Sequence, residues 1–231
     1  MRGEKPRRYD IDGIHLDYIR YPETWSIKVP AQRGRDYITH IVRTIHQRIK
    51  PIKPYLKLSC APIGKYDDLT RYQSYGWNAY SRVCQDAQGW LRTGLMDELF
   101  PMMYFRGQQF YPFAIDWAEN SHGRIVAPGL GIYFLSPKEK DWPLETVTRE
   151  LEFLRSAHLG HAFFRSKFLT DDTKGIYRFT TRHNSTLALV PPMAWACHTA
   201  PVAPTQLTLA HGQLTWQPTG AEGDIYYNVY A

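Results

Sequence analysis

The segment Tyr9-Asp-Ile-Asp-Gly-Ile-His-Leu-Asp-Tyr-Ile-Arg-Tyr-Pro22 decides the fold of this chain of 231 residues. Its centre, residues 12–19, is a short apolar run between polar residues, which predicts a β-strand. Asp17 stands at the C-terminal end of this strand, and His15 shares its face because side chains alternate along a strand. The working residues of β/α barrels lie at the C-terminal ends of their strands. We therefore take Asp17 as the candidate catalytic residue.

Downstream of this strand, short apolar runs alternate with longer helical patterns. Residues 36–49 predict an amphipathic helix, because their apolar side chains recur at spacings of three and four. Five such β/α units predict an α/β protein with parallel strands, either an open doubly wound sheet or a barrel. No glycine-rich phosphate fingerprint follows a strand, which favours a barrel, and five units make a partial (β/α)8 TIM barrel. The further predicted strands are 55–61, 99–105, 124–133 and 160–165, and the further helices are 80–93, 113–121, 143–156 and 173–181.

The tail of the sequence changes character after residue 197. Residues 198–204 carry two prolines among small residues and predict a linker. Residues 206–209 and 213–216 alternate with the period of a strand, and 225–230 predict another strand. A β-sandwich needs about seven strands, so 205–231 are predicted to begin a truncated β-sandwich module. The barrel portion is then 1–197, and both ends of the chain look cut.

Composition and charge exclude several classes of function. The net charge of +6 comes from scattered lysines and arginines without a nucleic-acid module, so we expect no nucleic-acid partner. No stretch approaches the length of a membrane span. The cysteines, Cys60, Cys84 and Cys197, form no CxxC pattern. We expect no metal site and no cofactor. Aromatic residues make up 14% of the chain, and their flat apolar faces suit the C–H faces of sugar rings.

Other predicted strand ends contribute an aromatic and basic ring of side chains. Such a ring would bind a sugar chain that carries anionic groups. The alternatives are that the lysines are ordinary surface residues, that Phe164 is core, and that Asp17 is tied to Arg20 in a structural ion pair. The candidate substrate-binding residues are His15, Tyr18, Arg20, Tyr21, Lys65, Tyr104, Tyr133, Phe164 and Lys167.

Hydrolysis of a glycosidic bond usually needs two carboxyl groups, one on each side of the bond. Asp17 can supply one of them. Glu23 follows in the next loop, and Asp67 and Asp68 follow the second strand, but none of these is marked as the partner by its position. Other chemistries have less support, because the chain lacks a G-x-S-x-G elbow and an H-E-x-x-H arrangement.

The Tyr9–Pro22 segment resembles the Y-D-[IV]-D-G-[IV]-H-[LF]-D-[DY] segment of the glycosyl-hydrolase-like 10 family. Further similar segments come in the same order: Gln85-Asp-Ala-Gln-Gly-Trp-Leu-Arg-Thr-Gly-Leu-Met-Asp97, Phe100-Pro-Met-Met-Tyr104 and Ala188-Leu-Val-Pro-Pro-Met-Ala-Trp195. The resemblance covers residues 1 to about 195. Many members of the family have a second Asp where this chain has Tyr18, which puts a mechanism with adjacent aspartates in doubt. The tail from Pro204 resembles the start of a fibronectin type III module.

The resemblance implies a TIM barrel entered at its fourth strand, so that the chain holds about strands 4–8. It implies that Asp17 occupies the catalytic-acid position of related barrels. Family members are secreted or belong to the bacterial cell envelope, and some cleave peptidoglycan glycan strands, which carry lactyl carboxylates. The predicted function is a glycoside hydrolase acting on a bacterial or other complex glycan. The alternatives are a glycan-binding barrel without turnover and an inactive truncated fragment.

Overall fold

Strand β1 (Gly13–Leu16) forms from the apolar centre of the Tyr9–Pro22 segment. A computed structural model of the chain describes residues 9–24, 29–74, 76–186, 188, 191–196, 202–218 and 229. The chain divides into two compact units, Met1–Thr186 and Leu187–Ala231. The first unit carries β1 and the α/β architecture that the sequence predicts.

The strands of the first unit are short, and we number them in chain order. After β1 they are β2 (Lys57–Cys60), β3 (Glu98–Leu99), β4 (Met102–Met103), β5 (Ile125–Val126), β6 (Gly129–Leu130) and β7 (Ala162–Phe163). The helices are α1 (Ala31–Ile49), α2 (Ala79–Arg82), α3 (Ala87–Arg92), α4 (Tyr111–Glu119), α5 (Leu144–Ser156), α6 (Ser166–Thr170) and α7 (Ile176–His183).

Every pairing between these strands is parallel. One sheet has the order β1-β2-β3-β5 and a second has the order β4-β6-β7. A parallel bridge between Ile63 and Met102 carries the pairing of the β2 stretch onto β4. Strand order therefore follows sequence order, without the reversal that marks a doubly wound sheet. The arrangement is consistent with part of a TIM-like barrel, and within the described residues the strands do not close into a ring.

Prolines explain why two predicted strands are each divided in two. Residues 99–105 were predicted as one strand, but Pro101 separates β3 from β4, and Pro128 likewise separates β5 from β6. A proline has no N–H to donate to the ladder, so each one interrupts its strand, although the carbonyls of Pro101 and Pro128 still accept from the N–H groups of Gly129 and Ala162. The predicted strand 124–133 also ends early, because Tyr133 lies in a 3-10 turn, Ile132–Leu135.

The core lies between the helices and one face of the sheet. Leu58 and Leu99 point to this face, and both are fully buried in one cluster with Val42 of α1 and Leu151 of α5. Burying such side chains contributes roughly 1.5–3 kcal/mol each. The alternate positions of the same strands, such as Ser59, point to the opposite face, where they line a cavity. The helices thus cover one face of the sheet and leave the other for the candidate site.

The second unit contains an antiparallel hairpin, β8 (Thr205–Ala210) and β9 (Gln213–Gln217). His211 and Gly212 join the strands, and both have positive φ angles, 51° and 77°, which suits a two-residue hairpin turn. Residues 198–201 of the predicted linker and the predicted strand 225–230, except Val229, lie outside the described residues. A fibronectin type III module therefore stays a prediction. No helix in the described ranges combines the length and apolarity that a bilayer span requires.

Glu150 is a buried carboxyl group on the core side of α5. Its exposed fraction is 1%, and Oε1 has no hydrogen-bond partner among the described residues. Burial raises the pKa of Glu150 to about 9. The folded protein therefore keeps a proton that the unfolded chain releases above its ordinary pKa of about 4.5. The contribution of Glu150 to the free energy of unfolding is therefore greatest below pH 4.5 and is lost as the pH rises toward 9.

We expect the Glu150→Gln variant to lose this pH dependence, because its amide does not titrate. Relative to the variant, the wild type should lose on the order of 2 kcal/mol of unfolding free energy between pH 5 and pH 7. Urea unfolding at several pH values measures this difference. Parallel stability profiles for the two proteins would show that Glu150 does not titrate in this way.

Candidate functional site

The candidate site begins at the C-terminal end of β1. His15 lies on the cavity face of this strand, and its Nδ1 is 2.9 Å from the hydroxyl oxygen of Ser59 on β2. The imidazole also packs edge to face against Phe100, with 5.6 Å between ring centroids. Burial lowers the pKa of His15, and the nearby Asp17 carboxylate opposes this effect without overcoming it. His15 is therefore a neutral, fixed imidazole near pH 7.

Asp17 follows β1 directly, and its side chain is exposed. The next residue, Tyr18, has a φ of 53°, in the left-handed region that a non-glycine residue seldom adopts. In this conformation the backbone N–H of Tyr18 donates a hydrogen bond to Oδ1 of Asp17 at 2.8 Å. The turn thus fixes the carboxylate at the carboxyl edge of the sheet, where barrel active sites lie.

Three predicted substrate-binding residues form an aromatic cluster beside Asp17. Tyr104 stacks on Phe164 with 5.1 Å between centroids, and Tyr133 meets both rings edge to face. Phe164 keeps 46% of its surface exposed. Burial raises the pKa of Tyr104 to about 12, with further increases from the charges of Tyr133 and Asp17. Tyr104 therefore remains a protonated hydrogen-bond donor near the Asp17 carboxylate, next to a ring that can stack on a sugar.

A cavity of about 580 Å³ opens on this face of the sheet. His15, Ser59, Phe100, Tyr104 and Phe164 are among its lining residues. The rest of the lining is largely apolar, as in small-molecule and sugar sites. Three charged side chains, Asp12, Lys57 and Glu98, also line the cavity, at the N-terminal ends of the strands and so away from Asp17. Ser59 and Phe100 were not predicted as site residues. The alternation of side chains along β2 could have identified Ser59, because it is the register partner of His15.

The loop after β1 forms a second part of the site. The Arg20 guanidinium lies 4.0 Å from the ring centroid of Tyr18 and 5.0 Å from that of Trp77. Arg20 also donates to Glu23 at 3.1 Å, and the Tyr18 hydroxyl lies 3.3 Å from the same carboxylate. Arg20 therefore pairs with Glu23, whereas the sequence alternative paired it with Asp17. Trp77, which the sequence did not mark, is 48% exposed and adds an aromatic face to this loop.

The remaining predicted site residues lie apart from these two groups. Lys65 is buried, and its ammonium group donates to the side chain of Gln109 and faces the ring of Phe113 at 4.9 Å. Lys167, on α6, is exposed and paired with Asp171 at 2.7 Å. Tyr21 is half-buried against the core. The structure therefore brings together His15, Asp17, Tyr104, Tyr133 and Phe164, with Tyr18 and Arg20 in the adjoining loop.

A second carboxyl group for hydrolysis is not evident among the described residues of these loops. Glu23 is engaged by Arg20 and Tyr18. Asp67 and Asp68 accept hydrogen bonds from the Asn78 amide at 3.2 and 3.4 Å. The parts of the chain that the structure describes also hold no group of three His, Cys, Asp or Glu side chains suited to a metal ion.

Comparisons with known proteins agree with the family resemblance over part of the chain. Residues 30–135 match the family model described as Glycosyl hydrolase-like 10. This range includes Lys65, Tyr104 and Tyr133, and it leaves out Asp17 and Phe164. The chain is also 28% identical to "Glycosyl hydrolase YngK" of Bacillus subtilis (strain 168), over 87% of this chain and 46% of that protein. The chain thus spans about half the length of this curated relative.

Proposed function

We propose that the chain is part of a glycoside hydrolase that uses Asp17 as a catalytic carboxyl group. The observation that carries this proposal is the placement of Asp17. It stands exposed at the carboxyl edge of a parallel sheet, beside an aromatic cavity lined by Tyr104 and Phe164. The family match and the similarity to a glycosyl hydrolase support the same class of reaction.

Asp17 would act on the glycosidic bond of a sugar held in this cavity. Glycosidases place two carboxyl groups on either side of that bond, one of which protonates the leaving oxygen. The family resemblance gives Asp17 the acid position. The protonated Tyr104 hydroxyl and the neutral His15 would hold the sugar by hydrogen bonds, and the exposed ring of Phe164 would stack on it. We place the second carboxyl group on a barrel strand outside residues 9–186.

We further propose a bacterial cell-wall glycan as the substrate, with peptidoglycan strands that lack stem peptides as the leading example. We also propose that the protein acts in the cell envelope or after secretion, because that is where such a substrate is found. Both rest on the family resemblance and on the aromatic character of the cavity. A second candidate function is glycan binding without turnover. Tyr18, at a position where the family often has Asp, and the engaged state of Glu23, Asp67 and Asp68 favour it.

The test is to assay the product of the gene that encodes this chain, with all of its coding sequence, on peptide-free glycan strands. We expect new reducing ends to accumulate to many times the enzyme concentration, while starch, an α-linked glucan, stays intact. Binding of the strands without release of reducing ends would replace the hydrolase proposal with the second candidate. If the protein neither binds nor cleaves the strands, both candidate functions are wrong.

A further inference from the structure

A second groove, of about 640 Å³, opens on the same unit as the candidate site. The 3-10 turn Gly107–Gln109, which follows β4, forms one side of it, and the start of α5 forms the other. Both segments follow the carboxyl ends of parallel strands. The groove therefore lies toward the carboxyl end of the strands, the end at which β1 presents Asp17.

The groove carries two cations and one carboxylate, so its charge is net positive. Arg106 and Arg149 line it, both are exposed, and neither forms an ion pair in the described ranges. The Arg106 guanidinium lies 5.7 Å from the ring centroid of Trp142, which is a cation–π contact. Glu145, one turn before Arg149 on α5, also lines the groove and carries the opposing charge.

The uncharged polar side chains of the groove are arranged to donate hydrogen bonds. Gln109 accepts from the buried Lys65 ammonium through its carboxamide oxygen, which leaves its NH₂ group for the groove. Gln108 likewise accepts from the Tyr72 hydroxyl at 3.4 Å through its oxygen. Burial raises the pKa of Tyr111, so its hydroxyl stays protonated. The groove thus offers guanidinium, amide and hydroxyl donors.

We propose that this groove binds the carboxylate of an acidic sugar residue in the glycan chain held by the candidate site. Arg106 and Arg149 would contact the carboxylate, since a guanidinium matches the geometry of two carboxylate oxygens. Gln108, Gln109 and Tyr111 would donate to sugar hydroxyl and carbonyl oxygens. This subsite rests on the proposed function for the identity of the polymer. The sequence analysis assigned the binding of anionic groups to Lys65 and Lys167. Lys65 donates to Gln109 and Lys167 pairs with Asp171, so we assign that role to the two arginines instead.

The test measures binding of three soluble polymers to the full chain carrying Asp17→Asn, so that no turnover intervenes. The polymers are peptide-free peptidoglycan strands, the same strands with their carboxylates converted to methylamides, and chitin hexaose as a neutral chain. In this background, Arg106→Gln combined with Arg149→Gln should bind the acidic strands about tenfold more weakly at low salt. It should bind the two neutral polymers as well as the Asp17→Asn parent does.

Two matched variants sharpen the test. Glu145→Gln removes the opposing charge and should tighten binding of the acidic strands about two- to threefold. Arg43→Gln, an exposed arginine on α1, should change nothing. Equal affinity of the double variant and its parent for acidic strands would overturn the proposal, as would an equal loss for neutral polymers. Stronger arginine-dependent binding of a glycerol-phosphate polymer would overturn the assignment to a carboxylate.

The subsite and the proposed function can fail separately. If the protein binds acidic strands through its arginines but never cleaves them, the subsite proposal stands and the hydrolase proposal is wrong. If the protein cleaves acidic and neutral strands at equal rates, and substitution of Arg106 and Arg149 has no effect, the hydrolase proposal stands and the subsite proposal is wrong.

Discussion

We expect Asp17→Asn to lower the rate of glycan hydrolysis by about 10³-fold, because an amide can neither donate a proton to the leaving oxygen nor act as a base. Asn has nearly the same shape as Asp and can still accept the hydrogen bond from the Tyr18 N–H. The turn after β1 should therefore keep its conformation. The measurement is the initial rate of release of reducing ends from peptide-free glycan strands, with wild type and variant at equal concentration.

Two controls make this result specific to Asp17. Asp10→Asn changes another exposed carboxylate, which pairs with Lys53 at 3.3 Å, and it should leave the rate unchanged. The affinity of Asp17→Asn for the strands should stay close to that of the wild type, because stacking on Phe164 does not depend on the carboxylate. A rate within a few-fold of wild type would remove Asp17 from the mechanism.

The fold could be predicted where the apolar period was long. The predicted helix at 143–156 corresponds to α5 almost residue for residue, because Leu144, Val147, Leu151 and Leu154 mark one face. Residues 80–93 were predicted as one helix, but the structure has α2 and α3. The break has local causes, since Asn78 and Asp86 each cap a separate helix start and Cys84 has a φ of 58°.

The candidate site could be predicted where residues stand at strand ends, which holds for the β1 segment and for Tyr104, Tyr133 and Phe164. His15 and Asp17 were identified because strand alternation and barrel topology specify where such residues stand. Lys65 was predicted to face the substrate, but it is buried because Gln109 and Phe113, from distant segments, surround its ammonium group. Arg106 lies in a loop, which has no period, and Arg149 lies on α5, so nothing in the sequence indicated that the two would line one groove.

Asp97 should be the most sensitive charged residue in the scaffold that holds the site. Its side chain is 2% exposed and binds Lys50 at 2.7 Å and Arg124 at 3.5 Å. The same carboxylate accepts the backbone N–H of Leu58 at 2.8 Å. It therefore joins the C-terminal end of α1 to three strands of the sheet that presents Asp17.

We expect Asp97→Ala to lower the free energy of unfolding by about 3–5 kcal/mol, because it leaves Lys50 and Arg124 partly buried without this counter-charge. The chain offers a matched control in Asp10, which also pairs with a lysine, Lys53, but has a side chain that is 99% exposed. Asp10→Ala should cost less than about 1 kcal/mol, since solvent screens an exposed ion pair. Urea unfolding of both variants at pH 7 compares the two costs directly. Similar costs would mean that water or neighbouring side chains compensate Lys50 and Arg124, and that burial of the Asp97 network does not hold the sheet together.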